Sequence, residues 1–337
     1  MIKMSKATVY TIIGTLIAAA LLPWIVPFNN YMMCILVSFC YFTITASSLN
    51  LLLGYTGQVS MGHNAFMCIG AYSYGIFCAN YKFFGSQLIG FLLGIIIPFI
   101  FGLFIGIGCS RLSAIFLATA TGAFAKGLKA FLVAEAWLTG GPNGLTGIPK
   151  LKFFGIEKLQ AAAYNRILFY ISLVMAFVMV LFCWRLINSR TGRAFQAIRT
   201  SPIAAAAMGI NVTGYKFLVC GISAAMAGLS GIIYAWNFSY VSPDIFDKFG
   251  TRLMTMAVTG GMATIPGPII GAVIMAILPE LLRVFAIHLD GIYGILVIIV
   301  FLIIPTGFYG AFNMLRGWVM SMFKKPAAAA AGEGESS

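Results

Sequence analysis

The sequence predicts an all-α fold, a polytopic bundle of about ten transmembrane helices, and three observations lead to this class. Of the 337 residues, 61% are hydrophobic and only 9% are charged, whereas soluble domains are usually about 25% charged. The apolar runs reach roughly 20 residues, which is enough for a helix to cross a hydrocarbon core. Alternating segments of about ten residues, which are typical of a membrane β-barrel, do not occur.

Ten apolar segments are candidate membrane spans. The first follows the N-terminus without a small-residue cleavage site, so we interpret it as a span and not as a cleaved signal. The eighth has only about 13 residues and cannot cross a hydrocarbon core of about 30 Å by itself. The candidates are 8–28, 31–53, 63–80, 87–109, 113–133, 163–186, 215–236, 252–264, 267–287 and 291–311.

Basic residues predict the orientation of these spans. Segment 185–216 holds four arginines and one lysine but no acidic residue, and cytoplasmic loops are enriched in Lys and Arg. Both termini also carry basic residues, so we place them inside. If the eighth segment counts as a crossing, ten crossings then place loops 134–162 and 238–251 outside.

The same rule accounts for the net charge of +13, so we expect a lipid bilayer and no nucleic acid as partner. The chain is predicted to be a multi-pass protein of the cell membrane. Its transmembrane domain spans 1–315 and includes the cytoplasmic loop 188–214. The low-complexity remainder, 316–337, is predicted to be a flexible cytoplasmic tail.

Reactive centres are not indicated. The seven cysteines lie in or beside apolar spans without a C-x-x-C pair, so we expect small buried hydrophobic side chains and no metal site. The G-x-x-x-x-G-K-[ST] loop that cradles nucleotide phosphates is absent, as is the H-E-x-x-H motif. We expect a non-enzymatic chain that needs no cofactor.

Two glycine-rich polar segments interrupt apolar regions: "GYTGQVSMGHNAF" at 54–66 and "TGGMATIPGP" at 259–268. Non-helical backbone at membrane depth is tolerated where protein or a water-filled cavity satisfies it, and paired breaks in two halves of a chain point to a transport path. Close helix packing through glycine is the alternative. The candidate path residues are Gly54, Tyr55, Gly57, Gln58, Ser60, His63, Asn64, Lys126, Gly260, Gly261 and Pro266.

Lys126 and Lys129 share one face of the fifth span, where each lysine costs about 2.5–3.5 kcal/mol at a helix centre. Three outcomes are open: snorkelling to the outer face, burial against other helices, or lining a wet path.

The cytoplasmic loop contains a short predicted helix. Ser201 is a candidate N-cap, Pro202 suits the first helical position, and Gly209 can end the helix. An alanine-rich helix of about two turns can dock into a groove on another protein, although it could also be a mere connector.

Seven stretches carry a resemblance to a known family. They are "LNLLLGYTGQVSMGHNAFMCIGAY", "LTGGPNGLTGIP", "GRAFQAIRTSPIAAAAMGINVTGYK", "SAAMAGLSGIIYA", "VSPDIF", "GGMATIPGPIIGAVIMAILPELLR" and "YGILVIIVFLIIPTGFYG". In this order they resemble the permease subunit of ATP-binding-cassette (ABC) importers for branched-chain amino acids, a family that also includes urea and amide importers. Where that family commonly has "AFGEI", this chain reads "AFAKG", with Lys126 in place of the acid.

The resemblance implies four kinds of partner: a second homologous permease, two cytoplasmic ATPase subunits and an extracytoplasmic substrate-binding protein. The loop 188–214 would be the coupling loop through which an ATPase drives the permease. The implied coupling residues are Arg193, Arg199, Ser201, Pro202, Ala204, Ala205, Met208 and Gly209.

Three other functions stay open. A urea or short-amide importer would have the same family pattern. An ion-coupled carrier commonly uses carboxylates within the membrane, but the acidic residues here lie in loops, in the tail or near span ends. A membrane enzyme or channel would need catalytic sets that the sequence lacks, since its only histidines, His63 and His288, are far apart.

Overall fold

The computed structural model describes residues 29–81, 85–109, 114–151 and 160–281, with five single helical positions beyond them. The predicted first span (8–28) and the tail (316–337) lie outside the described residues, and so does almost all of the predicted last span (291–311). Within the described ranges the fold is that of an all-α helical membrane protein. Its only strands there form one two-residue antiparallel pair.

The helices follow one another with short connections. In chain order they are α1 (Asn30–Asn50), extended by a π-helix (Leu51–Tyr55), α2 (His63–Asn80), α3 (Ser86–Cys109), α4 (Ala114–Ala134), α5 (Ala136–Thr139), α6 (Ala161–Ile187), α7 (Arg190–Thr200), α8 (Pro202–Ala207), α9 (Val212–Phe238), α10 (Pro243–Gly260) and α11 (Pro266–Leu281). A 3-10 turn (Gly141–Asn143) precedes β1 (Leu145–Thr146), which pairs with β2 (Tyr240–Val241).

Five helices are long and apolar enough to cross a membrane: Asn30–Tyr55, Ser86–Gly108, Phe116–Ala134, Ala161–Ile187 and Val212–Phe238. Each coincides with a predicted span. The predicted span 63–80 coincides with α2, which is not among the five. The structure therefore agrees with the helical membrane fold, while ten crossings and the positions of the termini stay predictions.

The centre of the bundle is α9, whose most apolar stretch is 78% buried. It packs chiefly against α3 and α2. A side chain at Gly228 would meet the carbonyl oxygen of Gly94 on α3 at 2.5 Å. Small residues let the backbones of membrane helices approach closely, so the glycines of α9 place it between its neighbours. By contrast, α3 is only 22% buried.

The eighth predicted segment is corrected. We expected about 13 residues at 252–264, after an outer loop that reached residue 251. The structure has an 18-residue helix, Pro243–Gly260. Ser242 has extended backbone and Pro243 stands at the first helical position, a combination that favours helix initiation. Charged residues in its first half hid this helix from a search for apolar runs.

Candidate functional site

The first break, residues 57–62, connects the π-helix to α2. Gly57 has φ +71°, a conformation that suits glycine. The two flanking helices are antiparallel, and Ser48 Oγ is 2.7 Å from Nε2 of His63 in a buried hydrogen bond. Because Ser48 lies seven residues before the end of the π-helix at Tyr55, α2 begins inside the bundle and not at its edge.

The second break, residues 261–265, connects α10 to α11. Gly261 has φ +117°, and Ala263 has φ +58°, which is unusual for a residue with a side chain. The Thr264 hydroxyl donates to the Gly261 carbonyl at 2.8 Å and accepts from the Gly267 N–H at 3.1 Å. Pro266 opens α11. The threonine thus supplies the polar contacts that the unwound backbone needs.

The two breaks meet through Asn50, on the last turn of α1. Its Nδ2 donates to the Thr264 carbonyl at 2.7 Å, and its Oδ1 accepts from the Ala263 N–H at 2.9 Å. A side chain at Gly54 would come within 2.6 Å of the same Ala263 nitrogen. Sequence analysis missed Asn50, although an asparagine in an apolar span is itself a signal of interior contact.

The first break presents buried polar atoms without a partner among the described residues. Gln58 accepts a weak hydrogen bond from the Cys220 thiol at 3.3 Å, and Tyr55 packs into the core. Buried polar groups nearly always have a partner, so these atoms mark places where water, solute or another chain can bind. The unpartnered atoms are Gln58 Nε2, Ser60 Oγ, His63 Nδ1 and Asn64 Oδ1.

The second break differs in this respect. Gly260 and Gly261 are buried, and a side chain at Gly260 would collide with Gly267. No side-chain atom of residues 259–268 is buried without a partner. These glycines allow close packing, while the polar side chains of the first break extend into unfilled space. The two readings of the glycine-rich segments therefore apply to different breaks.

Lys126 and Lys129 of α4 pair with acidic residues at the start of α10. Lys126 Nζ is 2.7 Å from Asp247 Oδ1, and Lys129 Nζ is 2.9 Å from Asp247 Oδ2 and 2.7 Å from Asp244 Oδ1. Partial burial raises the pKa of Asp247, but hydrogen bonds from the two lysines outweigh it and leave the pKa below its ordinary value. Sequence analysis missed both aspartates, because it placed them in an outer loop.

A narrow crevice lies beside these ion pairs, between α2, α4 and α10. Its polar lining is Asn64, Lys129 and Asp247. Asn64 also donates from Nδ2 to the Phe246 carbonyl at 3.0 Å. The structure therefore brings predicted path residues from two elements together, but Lys126 is not among the lining residues and its side chain is 71% exposed.

The cytoplasmic loop contains two helices, where we predicted one. The predicted helix is α8: Ser201 Oγ accepts from the Ala204 N–H at 3.2 Å, and Gly209 beyond its end has φ +80°. The missed helix is α7, which is capped by the Ser189 hydroxyl. Polar residues outnumber apolar ones in α7, and only its buried face, with Phe195 and Ile198, indicates an amphipathic helix.

The exposed surface of α8 is apolar. Ile203 is 84% and Met208 is 83% exposed, whereas Ala205 is only 3% exposed. Pro202, Ala204 and Gly209 are exposed as well, and so are Arg193 and Arg199 of α7. Of the predicted coupling residues, Ala205 therefore lies on the inner side of the helix and the others border solvent, with Ser201 half-buried.

The cytoplasmic loop contacts the first break directly. A side chain at Gly57 would lie 3.4 Å from Cγ of Arg199 and 3.8 Å from its Cα. The end of α7 thus packs on the residue where the chain leaves the helical conformation. A displacement of α7 has a short physical route to the buried polar segment.

An apolar helical bundle with unwound polar segments in its interior is the architecture of an integral membrane transport protein. The chain belongs to the family described as branched-chain amino acid transport system / permease component, whose model matches residues 31–305. No solved structure matches significantly.

Three relatives place the chain within this family. It is 28% identical over 286 residues to the high-affinity branched-chain amino acid transport system permease protein LivM of Salmonella typhimurium, which covers 79% of this chain and 67% of the relative. Identity to LivM of Escherichia coli K12 is also 28%, over 288 residues with the same coverage. LivH of the latter strain is 34% identical over 124 residues, 36% of this chain and 40% of LivH.

Proposed function

We propose that this chain is the permease subunit of an ATP-driven ABC importer that moves branched-chain amino acids across the inner membrane of the cell. The printed functions of the LivM and LivH relatives support the substrate class. In this proposal the chain acts with a second homologous permease, two cytoplasmic ATPase subunits and an extracytoplasmic substrate-binding protein. The chain itself carries no catalytic step.

The solute path is proposed to run along the first break, and the carrying observation is its set of unpartnered buried polar atoms. Binding should be weak there, because a solute that binds tightly cannot leave. Affinity then belongs to the binding protein, which would contact the outer segments 134–162 and 238–251. The second break would hold α10 and α11 at a fixed depth beside this path.

Coupling is proposed to pass from α8 through α7 to the first break. The exposed Ile203 and Met208 form an apolar surface that suits a groove on an ATPase subunit. Arg199 lies at the other end of this route, against Gly57. Ala205 would support α8 from within and not touch the ATPase, and Arg193 would lie beside the docked surface.

Docking is tested by acidic substitutions on the apolar surface. Ile203→Glu and Met208→Glu should each lower the fraction of ATPase that co-purifies with the permease and should reduce ATP-driven uptake about tenfold or more, because an unpaired charge would be buried at the contact. Gln196→Glu adds the same charge to the exposed side of α7 and should change neither quantity. Normal ATPase recovery with both α8 variants would contradict docking.

The transport proposal is tested in proteoliposomes that contain this chain, its partner permease and the ATPases, with the binding protein outside. Labelled leucine, isoleucine or valine should accumulate only when ATP is hydrolysed, and ionophores that abolish ion gradients should have little effect. Uptake that follows a sodium or proton gradient without ATP would assign an ion-coupled carrier instead.

The substrate arm of the same experiment compares amino acids with urea and short amides. The chain is also 25% identical over 222 residues to the autoinducer 2 import system permease protein LsrC of Salmonella paratyphi B, so similarity alone extends to permeases with a different printed substrate. Accumulation of urea or an amide without that of any branched-chain amino acid would move the assignment to that class.

A further inference from the structure

Four charged side chains meet where α4 lies against the start of α10. They form three ion pairs of 2.7 to 2.9 Å among Lys126, Lys129, Asp244 and Asp247. Within this cluster the side chains of Lys129 and Asp247 are 33% and 22% exposed, and those of Lys126 and Asp244 are 71% and 60% exposed. The cluster therefore has a shielded pair beside the bundle and a more open pair away from it.

This cluster is an unsuitable surface for lipid. Charged side chains within membrane segments almost always face the interior of a bundle or a water-filled cavity. Because Lys126 and Asp244 remain largely exposed in the isolated chain, this side of α4 and α10 should border water or a neighbouring protein. A solute could then reach the shielded pair from the same side.

The crevice beside the shielded pair combines polar and apolar linings. Asn64 is only 6% exposed, lines the crevice, and has no partner for its Oδ1 atom among the described residues. The remaining wall is largely apolar, with Cys68, Leu128 and Phe246 among its members. An anion partner, a cation partner, a vacant acceptor and an apolar wall thus surround one small space.

We propose that this crevice binds the zwitterionic end of an α-amino acid, with the carboxylate on Lys129 and the ammonium on Asp247 and Asn64 Oδ1. The apolar side chain of the solute would pack along Leu128 and Phe246. The inference rests on the proposed transport function and deepens it, because it assigns the solute to the α-amino acids by its charges and names the residues that recognise them.

Partner exchange explains why the ion pairs do not block such a site. Partly exposed salt bridges contribute only about 0–1 kcal/mol, so separating Lys129 from Asp247 is inexpensive. A zwitterion inserted between them gives each protein charge a new partner of opposite sign, and no charge is left buried alone, which would be strongly unfavourable. Urea and neutral amides lack both charges and could not make this exchange.

The test measures direct, weak binding to the purified complex in lipid nanodiscs, without binding protein or nucleotide, by saturation-transfer NMR. Three probes separate the two charges: leucine, leucinamide, which lacks the carboxylate, and 4-methylpentanoate, which lacks the ammonium. The variants are Lys129→Met and Asp247→Asn. Lys248→Met removes a lysine charge from the same helix, next to Asp247 in sequence, and serves as the control, because Lys248 forms no ion pair among the described residues.

Lys129→Met should weaken leucine about tenfold or more, as expected for a lost hydrogen bond to a charged group, and should leave leucinamide unchanged or strengthened. Asp247→Asn should weaken leucine similarly and leave 4-methylpentanoate unchanged or strengthened. Lys248→Met should change none of the three. Because the two variants are independent, failure of one to fold leaves the other as a test.

Equal losses for all three probes would show that the cluster only holds α4 against α10, and would overturn the inference. So would an absence of leucine binding by the wild-type complex. The proteoliposome assay keeps the two proposals apart: ATP-driven leucine uptake by a complex whose variants show no probe-dependent loss would retain the transport function and reject the crevice as its recognition site.

Discussion

The two breaks in the bundle have similar sequences in outline but opposite hydrogen-bonding states. At the second break, Asn50 and Thr264 supply partners to the unwound backbone. At the first break, the side chains of Gln58, Ser60 and His63 each retain a buried atom without a partner among the described residues. A glycine-rich break within a membrane can therefore be either a fixed structural joint or an unfilled polar site, and only the surrounding residues decide which.

The contacts of the two breaks with the rest of the chain differ as well. The first contacts Arg199 of the cytoplasmic loop and Thr121 of α4. The second contacts α1 through Asn50. We infer that the first break is the one that responds to the cytoplasmic loop. The predictions below test this difference, beginning with the largest expected effect.

Gly57→Leu should abolish solute uptake, because a side chain there is strained at φ +71° and would displace Arg199. ATPase association should persist, since α8 is untouched, so the measurement is uptake per assembled complex in proteoliposomes. Gly85→Leu is the matched control: Gly85 has φ +93°, but no atom lies within 4 Å of the added side chain. Equal losses in both variants would attribute the effect to backbone strain alone.

Asn50→Ala should lower the free energy of unfolding by about 1–3 kcal/mol, because the Ala263 N–H and the Thr264 carbonyl each lose a partner. Thermal unfolding of the purified chain in detergent measures this. Asn50→Asp keeps the acceptor for Ala263 and loses the donor to Thr264, so the comparison separates the two bonds. An unchanged melting temperature in both variants would show that Asn50 does not connect the breaks.

A smaller and more direct contrast comes from removing one hydroxyl from each break. Thr264→Val should destabilise the chain by about 1 kcal/mol, the usual contribution of a helix cap. Ser60→Ala should be neutral or slightly stabilising, because Ser60 Oγ has no partner to lose, yet it should reduce uptake if the hydroxyl contacts the solute path. A stability loss at Ser60 equal to that at Thr264 would remove the contrast.

The smallest effect concerns pH and the ion pairs beside the first break. The folded-state pKa of Asp247 lies below its ordinary value of 3.8, so the stabilisation that Asp247 provides is present above that value and is lost as the pH falls through the lower folded pKa. The stability difference between wild type and Asp247→Asn should therefore stay constant from about pH 5 to about pH 8. A difference that decreases within this window would contradict ionised pairing with Lys126 and Lys129.

Local patterns were sufficient to predict several elements. Apolar length placed α1, α3, α4, α6 and α9, because the hydrocarbon core selects such runs whatever their neighbours. Ser201, Pro202 and Gly209 predicted the ends of α8, because caps are made within one turn. In contrast, α7 and the first half of α10 were missed, since their apolar residues occupy only one face and their exposed faces are charged or polar.

By itself, the sequence determined that this is a helical membrane protein, that it has two unwound polar segments, and to which family it belongs, because those properties follow from local composition and from motifs in order. Tertiary structure decided which break is satisfied, that Asn50 connects them, that Lys129 faces Asp247, and that Arg199 packs on Gly57. These contacts join residues more than 100 positions apart, and no local rule of propensity or hydropathy specifies which distant side chain will complete a polar group.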